Sequence, residues 1–198
     1  MKKANIAVLV SGGGTNLQAL LDAEKSGILH SGKITLVISN KADAYALTRA
    51  ANAGVKTEVI SNKEPDFEER LIKTLDDNGT DLIILAGFMC ILSEKFTSHF
   101  ERRIINVHPS LIPSFCGEGF YGLRVHRAAL EKGVKVTGAT VHFVNEIPDG
   151  GEIILQKAVD VLPGDTPETL QKRVMEQAEW IILPAAAEKV SAELMALR

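Results

Sequence analysis

The sequence predicts an open, Rossmann-like α/β fold: a mostly parallel sheet with helices on both faces and an antiparallel addition near the carboxyl end. Three observations carry that expectation. Short continuous apolar runs alternate with segments of helical spacing, the crossovers are long enough to join parallel strands, and a glycine-rich turn links the first run to the first helix.

Residues 5–10 form the apolar run of a buried strand, and residues 15–23 set Leu17, Leu20 and Leu21 at helical spacing. Residues 34–39 repeat the apolar run, and residues 42–53 have helix-forming composition with Gly54 as a carboxyl cap. A third strand follows at residues 56–60. Residues 67–75 place Phe67, Leu71, Ile72 and Leu75 on one face, and Asn78-Gly79 ends that helix before the run 82–85. Past Gly87 the pattern predicts a helix at 93–100, a strand at 103–107 and a long irregular stretch at 108–125. Connections of that length are usually functional or disordered, and Phe115, Phe120, Tyr121 and Leu123 argue against disorder. A helix at 126–132 precedes two antiparallel strands, 136–144 and 152–161, joined through Pro148-Asp149-Gly150-Gly151. Thr166 caps the last helix and Pro167 opens it, with Leu170, Val174, Ala178 and Ile181 as its apolar stripe. No repeat or linker interrupts the pattern, so residues 1–198 are expected to form one domain.

At 45% hydrophobic and 24% charged residues, the composition excludes a disordered or fibrous chain. The net charge of −3 gives no footprint for nucleic acid or an anionic membrane. The near-apolar run 82–92 falls short of the roughly 18 residues a membrane helix needs, and the apolar run after Lys2-Lys3 stops at Ser11, too soon for a secretion signal. Two cysteines, Cys90 and Cys116, cannot build a disulfide scaffold and suit a reducing compartment. The expectation is a cytoplasmic protein with neither nucleic-acid nor membrane partners.

The stretch Ser11-Gly12-Gly13-Gly14-Thr15-Asn16 offers free backbone N–H groups and a helix dipole, the chemistry of a phosphate site. It is not a Walker loop, and Leu17 stands where a dinucleotide fingerprint has its third glycine. A plain glycine turn is the alternative. Asn106 and His108 alternate onto one side of a strand end, where an amide and an imidazole together can stabilise an oxyanion and move a proton. Asp149 reads as a turn aspartate by itself, yet within reach of an imidazole a carboxylate favours the imidazolium. His30, His99 and His126 read as solvated. His142, between Val141 and Phe143, is either a satisfied strand histidine or a support for a site. Neither cysteine has the surroundings of a nucleophile, and no cluster of metal ligands stands out.

The strings Ser11-Gly12-Gly13-Gly14-Thr15-Asn16-Leu17-Gln18-Ala19, Ser39-Asn40-Lys41-Ala42-Asp43-Ala44, Leu85-Ala86-Gly87-Phe88-Met89, Asn106-Val107-His108-Pro109-Ser110-Leu111-Ile112-Pro113 and Asp149-Gly150-Gly151 occur in this order. In order and spacing the chain resembles the phosphoribosylglycinamide formyltransferase family of folate-dependent formyltransferases. The resemblance implies that family's fold. It also implies transfer of a formyl group from 10-formyltetrahydrofolate to the amine of glycinamide ribonucleotide, by direct attack through a tetrahedral intermediate and without a metal. By the same resemblance, Gly14, Thr15 and Asn16 would hold the substrate phosphate and Glu179 the ribose hydroxyls. Asn106 and His108 would stabilise the oxyanion, His108 would be the acid and Asp149 would raise its pKa. Folate would lie against Met89, Cys90, Ile91 and Leu92 and against Asn145, Glu146, Ile147 and Pro148. A cis bond is implied at Ile112-Pro113, and a monomer or homodimer is expected.

The chain departs from the family pattern in several places. Cys90 and Glu64, the latter beside Lys63, stand where basic residues are common; the loop 114–125 is longer; and the final helix carries one extra residue before Glu179. Three other readings compete. A formyltetrahydrofolate deformylase-like hydrolase would use the same scaffold with water as acceptor, but that enzyme adds an amino-terminal regulatory domain. A methionyl-tRNA formyltransferase would need a further carboxyl-terminal domain. A non-catalytic nucleotide-binding module would leave Asn106, His108 and Asp149 unexplained.

Overall fold

The apolar runs become the strands of one twisted sheet. In the computed structural model, which describes residues 2–198, the strands are β1 (Ala4–Val10), β2 (Gly32–Ser39), β3 (Lys56–Val59), β4 (Leu82–Leu85), β5 (Ile104–His108), β6 (Val136–Phe143) and β7 (Ile153–Asp160). Their spatial order is β3-β2-β1-β4-β5-β6-β7. Pairings from β3 through β5 are parallel, and β5–β6 and β6–β7 are antiparallel. This is the mostly parallel sheet with an antiparallel addition near the carboxyl end that the sequence predicts.

The interleaved helices are α1 (Thr15–Ser26), α2 (Tyr45–Asn52), α3 (Phe67–Asp77), α4 (Glu94–His99), α5 (Leu123–Lys132), α6 (Pro167–Val174) and α7 (Trp180–Ala196). Because strand side chains alternate between faces, β1 feeds two cores. Ile6, Val8 and Val10 pack with residues of α1 and α7 on one face, and Ala7 and Leu9 pack with residues of α3 and α4 on the other. Helices on both faces explain why β1 and β4 read as unbroken apolar runs. The chain runs from β1 to β2 in one direction and reaches β4 on the other side, so a crevice opens where the strand order reverses. The segments after β1 and β4 border that crevice.

Two expectations fail. First, α5 begins at Leu123, three residues earlier than expected, and His126 faces inward with no exposure instead of meeting solvent. Neither ring nitrogen of His126 has a partner among the described residues, and burial, aided by the charge of His108, pushes its pKa down to about 4. By contrast His30 and His99 are exposed and sit beside Glu188 and Asp76.

Second, Ile181 is 51% exposed and does not belong to the apolar stripe of the last helix. A π turn at Met175–Glu179 separates α6 from α7. Such a turn takes one residue more than an α-turn, so the inward face beyond it resumes one position later. Ile182 takes the inward place expected of Ile181, followed by Leu183, Ala186, Ala187 and Val190. No helix among the described residues is long and apolar enough to cross a membrane.

Candidate active site

One end of the crevice is made of backbone. Gly14 caps α1 with a left-handed φ of 73°, and a Cβ there would lie 2.6 Å from the Ala46 Cβ. A side chain at Gly12 or Gly13 would meet nothing within 4 Å. Packing within the chain therefore explains the third glycine and leaves the first two for something that approaches from outside. The N–H groups of Gly12, Gly13 and Gly14 donate to no protein group among the described residues. The Ser11 hydroxyl accepts from Met89 N–H at 2.8 Å and ties this loop to the segment after β4.

The other end is made of side chains. Asn106 and His108 both project from the end of β5, and antiparallel pairing sets His142 of β6 directly opposite Asn106. Asp149 lies in the turn after β6 with φ 55°. Its two glycine neighbours fix it there: a Cβ on Gly151 would lie 1.8 Å from the Phe143 carbonyl oxygen, and one on Gly150 would lie 2.6 Å from Ile147. Asp149 Oδ2 is 3.3 Å from His108 Nδ1, and Oδ1 is 3.4 Å from His142 Nε2. Asn106 Nδ2 is 3.2 Å from that same His142 nitrogen. His142 Nδ1 is 2.7 Å from the Phe143 carbonyl and carries a proton toward it; the neutral ring then accepts from Asn106 at Nε2, whereas the imidazolium donates from Nε2 to Asp149.

Burial, the largest influence on His108, lowers its pKa, while Asp149 and the Phe115 carbonyl push it up without fully compensating. The sequence leads one to expect a net rise; the carboxylate does act in that direction, but the enclosed position of the ring outweighs it. For Asp149, burial acts upward and is overcome by hydrogen bonds from His142 and Gly117 N–H and by the two imidazoles, which hold the carboxyl below its ordinary range.

The side-chain end opens into a cleft of about 740 Å³ lined by Asn106, His108, His142, Asp149 and Glu179, and by Asn16 from the start of α1. Met89, Cys90, Ile91 and Leu92 form one wall and Asn145, Glu146, Ile147 and Pro148 another. Gly12, Gly13, Gly14 and Thr15 are not part of its lining; the Thr15 hydroxyl faces Met175 Sδ at 3.9 Å. Glu179, at the end of the π turn, is buried and accepts from Asn16 Nδ2 at 2.8 Å. Burial raises its carboxyl above the ordinary range against the opposing Asn16 hydrogen bond. Burial likewise raises both thiols, Cys90 and Cys116. Among the described residues no group of His, Cys, Asp and Glu could hold a metal ion.

Sequence reasoning missed the part played by the long loop. Its Phe115 carbonyl stands 2.9 Å from His108 Nε2, and Gly117 N–H donates to Asp149 Oδ2 at 2.9 Å. Phe115 has φ 50°, an unfavourable region for an aromatic residue. The only signal was length, since both contacts use backbone atoms. The bond Ile112-Pro113 is cis.

Known proteins share the sequence and fold of this chain. The family model described as formyl transferase matches residues 4–186. Phosphoribosylglycinamide formyltransferase of Escherichia coli is 44% identical over 181 residues, covering 89% of this chain and 82% of that protein. The bovine trifunctional purine biosynthetic protein adenosine-3 is 46% identical over 96% of this chain, which spans only 18% of that relative's length. The crystal structure of glycinamide ribonucleotide transformylase 1 from Symbiobacterium toebii superposes with a TM-score of 0.90 at 43% identity, covering 96% of this chain and 89% of that one. With a family match along nearly its whole length and the fold of those relatives, the chain belongs to the formyl transferase family.

Proposed function

We propose that the protein transfers a formyl group from 10-formyltetrahydrofolate to the primary amine of glycinamide ribonucleotide. The observation that carries this reading is the gathering of Asn106, His108 and His142 around Asp149, in a cleft also lined by Asn16, which follows a loop of free N–H groups. The full-length relatives named for phosphoribosylglycinamide formyl transfer support it.

The walls fit a flat heterocycle. Met89, Ile91 and Ile147 are 52%, 78% and 57% exposed, an apolar surface that a ligand can cover, and the backbone beside them can pair with a polar ring edge. When bound, the folate supplies the formyl carbon. The loop around Gly14, Thr15 and Asn16 holds the ribonucleotide phosphate, and Glu179 receives the ribose hydroxyls.

As the amine attacks, charge develops on the formyl oxygen. The Asn106 amide donates one proton to His142 and keeps a second for that oxygen. His108 Nδ1 faces Asp149, which leaves Nε2 as the nitrogen that reaches the oxyanion, the position now taken by the Phe115 carbonyl. Asp149 stabilises the imidazolium and so sustains His108 as the acid. His142 fixes the orientation of the Asn106 amide. The test is an optical assay of folate deformylation with and without glycinamide ribonucleotide. Turnover that requires the ribonucleotide is expected; release of formate to water at the same rate without it would replace transfer with hydrolysis.

A further inference from the structure

Arg49 lies outside the cleft lining on the inner turn of α2, yet it is bonded to the glycine loop. Its Nε donates to the Gly13 carbonyl at 2.8 Å and its Nη1 to Gln18 Oε1 on α1 at 3.1 Å. The guanidinium also stands 5.0 Å from the centre of the Tyr45 ring, which braces it from the same helix.

The neighbouring carbonyls are committed as well. Gly12 C=O accepts from Ala46 N–H at 3.0 Å, and Gly14 C=O accepts from Gln18 N–H at 2.9 Å. In a planar trans peptide the C=O and the following N–H point in opposite directions. Holding Gly12 C=O and Gly13 C=O against α2 therefore aims Gly13 N–H and Gly14 N–H away from it. Among the described residues the Gly13 C=O accepts from no group besides Arg49, and a Cβ at Gly13 would be in open space. Without Arg49 the Gly13 carbonyl loses that partner, and a flip of its peptide plane would present an oxygen where an anion needs a donor.

We infer that Arg49 is a positioning residue for phosphate recognition, pinning the Gly13 peptide so that the loop shows its N–H groups to a phosphomonoester. The inference rests on the phosphate role proposed above for this loop. Its charge alone is not the device; the fork that spans Gly13 and Gln18 is, and lysine has no equivalent of it.

The test titrates the full chain with ribose 5-phosphate, following the amide resonances of Gly12, Gly13 and Gly14 by NMR. Arg49→Met and Arg49→Lys should both weaken binding by about tenfold or more, close to 1.4 kcal/mol. Gln18→Ala, which removes only the second anchor, should weaken it less. In turnover the Arg49 variants should raise KM for the ribonucleotide while kcat and the KM for folate change less than twofold, roughly the scatter of unrelated substitutions. Restoration of affinity by Arg49→Lys would reduce the contribution to charge and overturn the positioning role, as would unaltered binding in both variants. Wild-type protein that fails to bind ribose 5-phosphate would overturn the phosphate reading and this inference with it.

Discussion

The glycine loop and the end of β5 both present hydrogen-bond donors, but they are built of different materials. At the glycine loop the donors are peptide N–H groups with no titratable side chain among Gly12, Gly13 and Gly14. At the end of β5 the donors are an amide and imidazoles enclosed around one carboxylate. The backbone end is insensitive to pH and depends on peptide orientation. The side-chain end gains reactivity from burial and acquires pH sensitivity with it.

The largest effect should come from the side-chain end. His108→Ala is expected to lower kcat by roughly 10²–10⁴-fold, the range of a positioned acid, with little change in ribonucleotide affinity. A kcat near wild type would remove the imidazole from the chemistry and erase the contrast between the two ends.

His126 should reveal the pH cost of building with buried imidazoles. It titrates near 6.5 when unfolded and near 4 in the fold. Between those values the unfolded chain binds more protons, so stability falls as the pH drops from about 6.5 to 4, by up to roughly 3 kcal/mol for this group. Urea unfolding at pH 7 and pH 5 measures the loss. In His126→Phe most of it should vanish; an unchanged difference would place the sensitivity elsewhere.

The smallest stability effect should come from the backbone end. Gly12→Ala adds a methyl group where nothing lies within 4 Å, so stability should change by less than about 1 kcal/mol. KM for the ribonucleotide should nevertheless rise several-fold, because the methyl group occupies space left for a ligand. An equal KM would mean that the ligand never approaches that glycine.

What was legible in the sequence follows the same division. Strands β1 and β4 were visible because burial on both faces demands unbroken apolar runs, and Asn106 and His108 could be paired because alternation along one strand is local. His142 stayed ambiguous because its position opposite Asn106 depends on the register between β5 and β6, which no local pattern records. The inward turn of His126 was missed because α5 starts after Gly122, at φ 52°, without a side-chain cap to mark it. Phe115 and Gly117 reach the site through atoms every residue carries, so residue identity gave no clue.

The π turn bears on how the length of this chain can vary. Taking one residue out between Val174 and Glu179 turns it into an ordinary α-turn, and every core position of α7 keeps its place on the sheet. The same deletion within α7 ahead of Val190 would rotate Val190 and Ser191 away from the interior. The helix thus has a spot next to Glu179 where a codon can be lost without repacking the residues that follow.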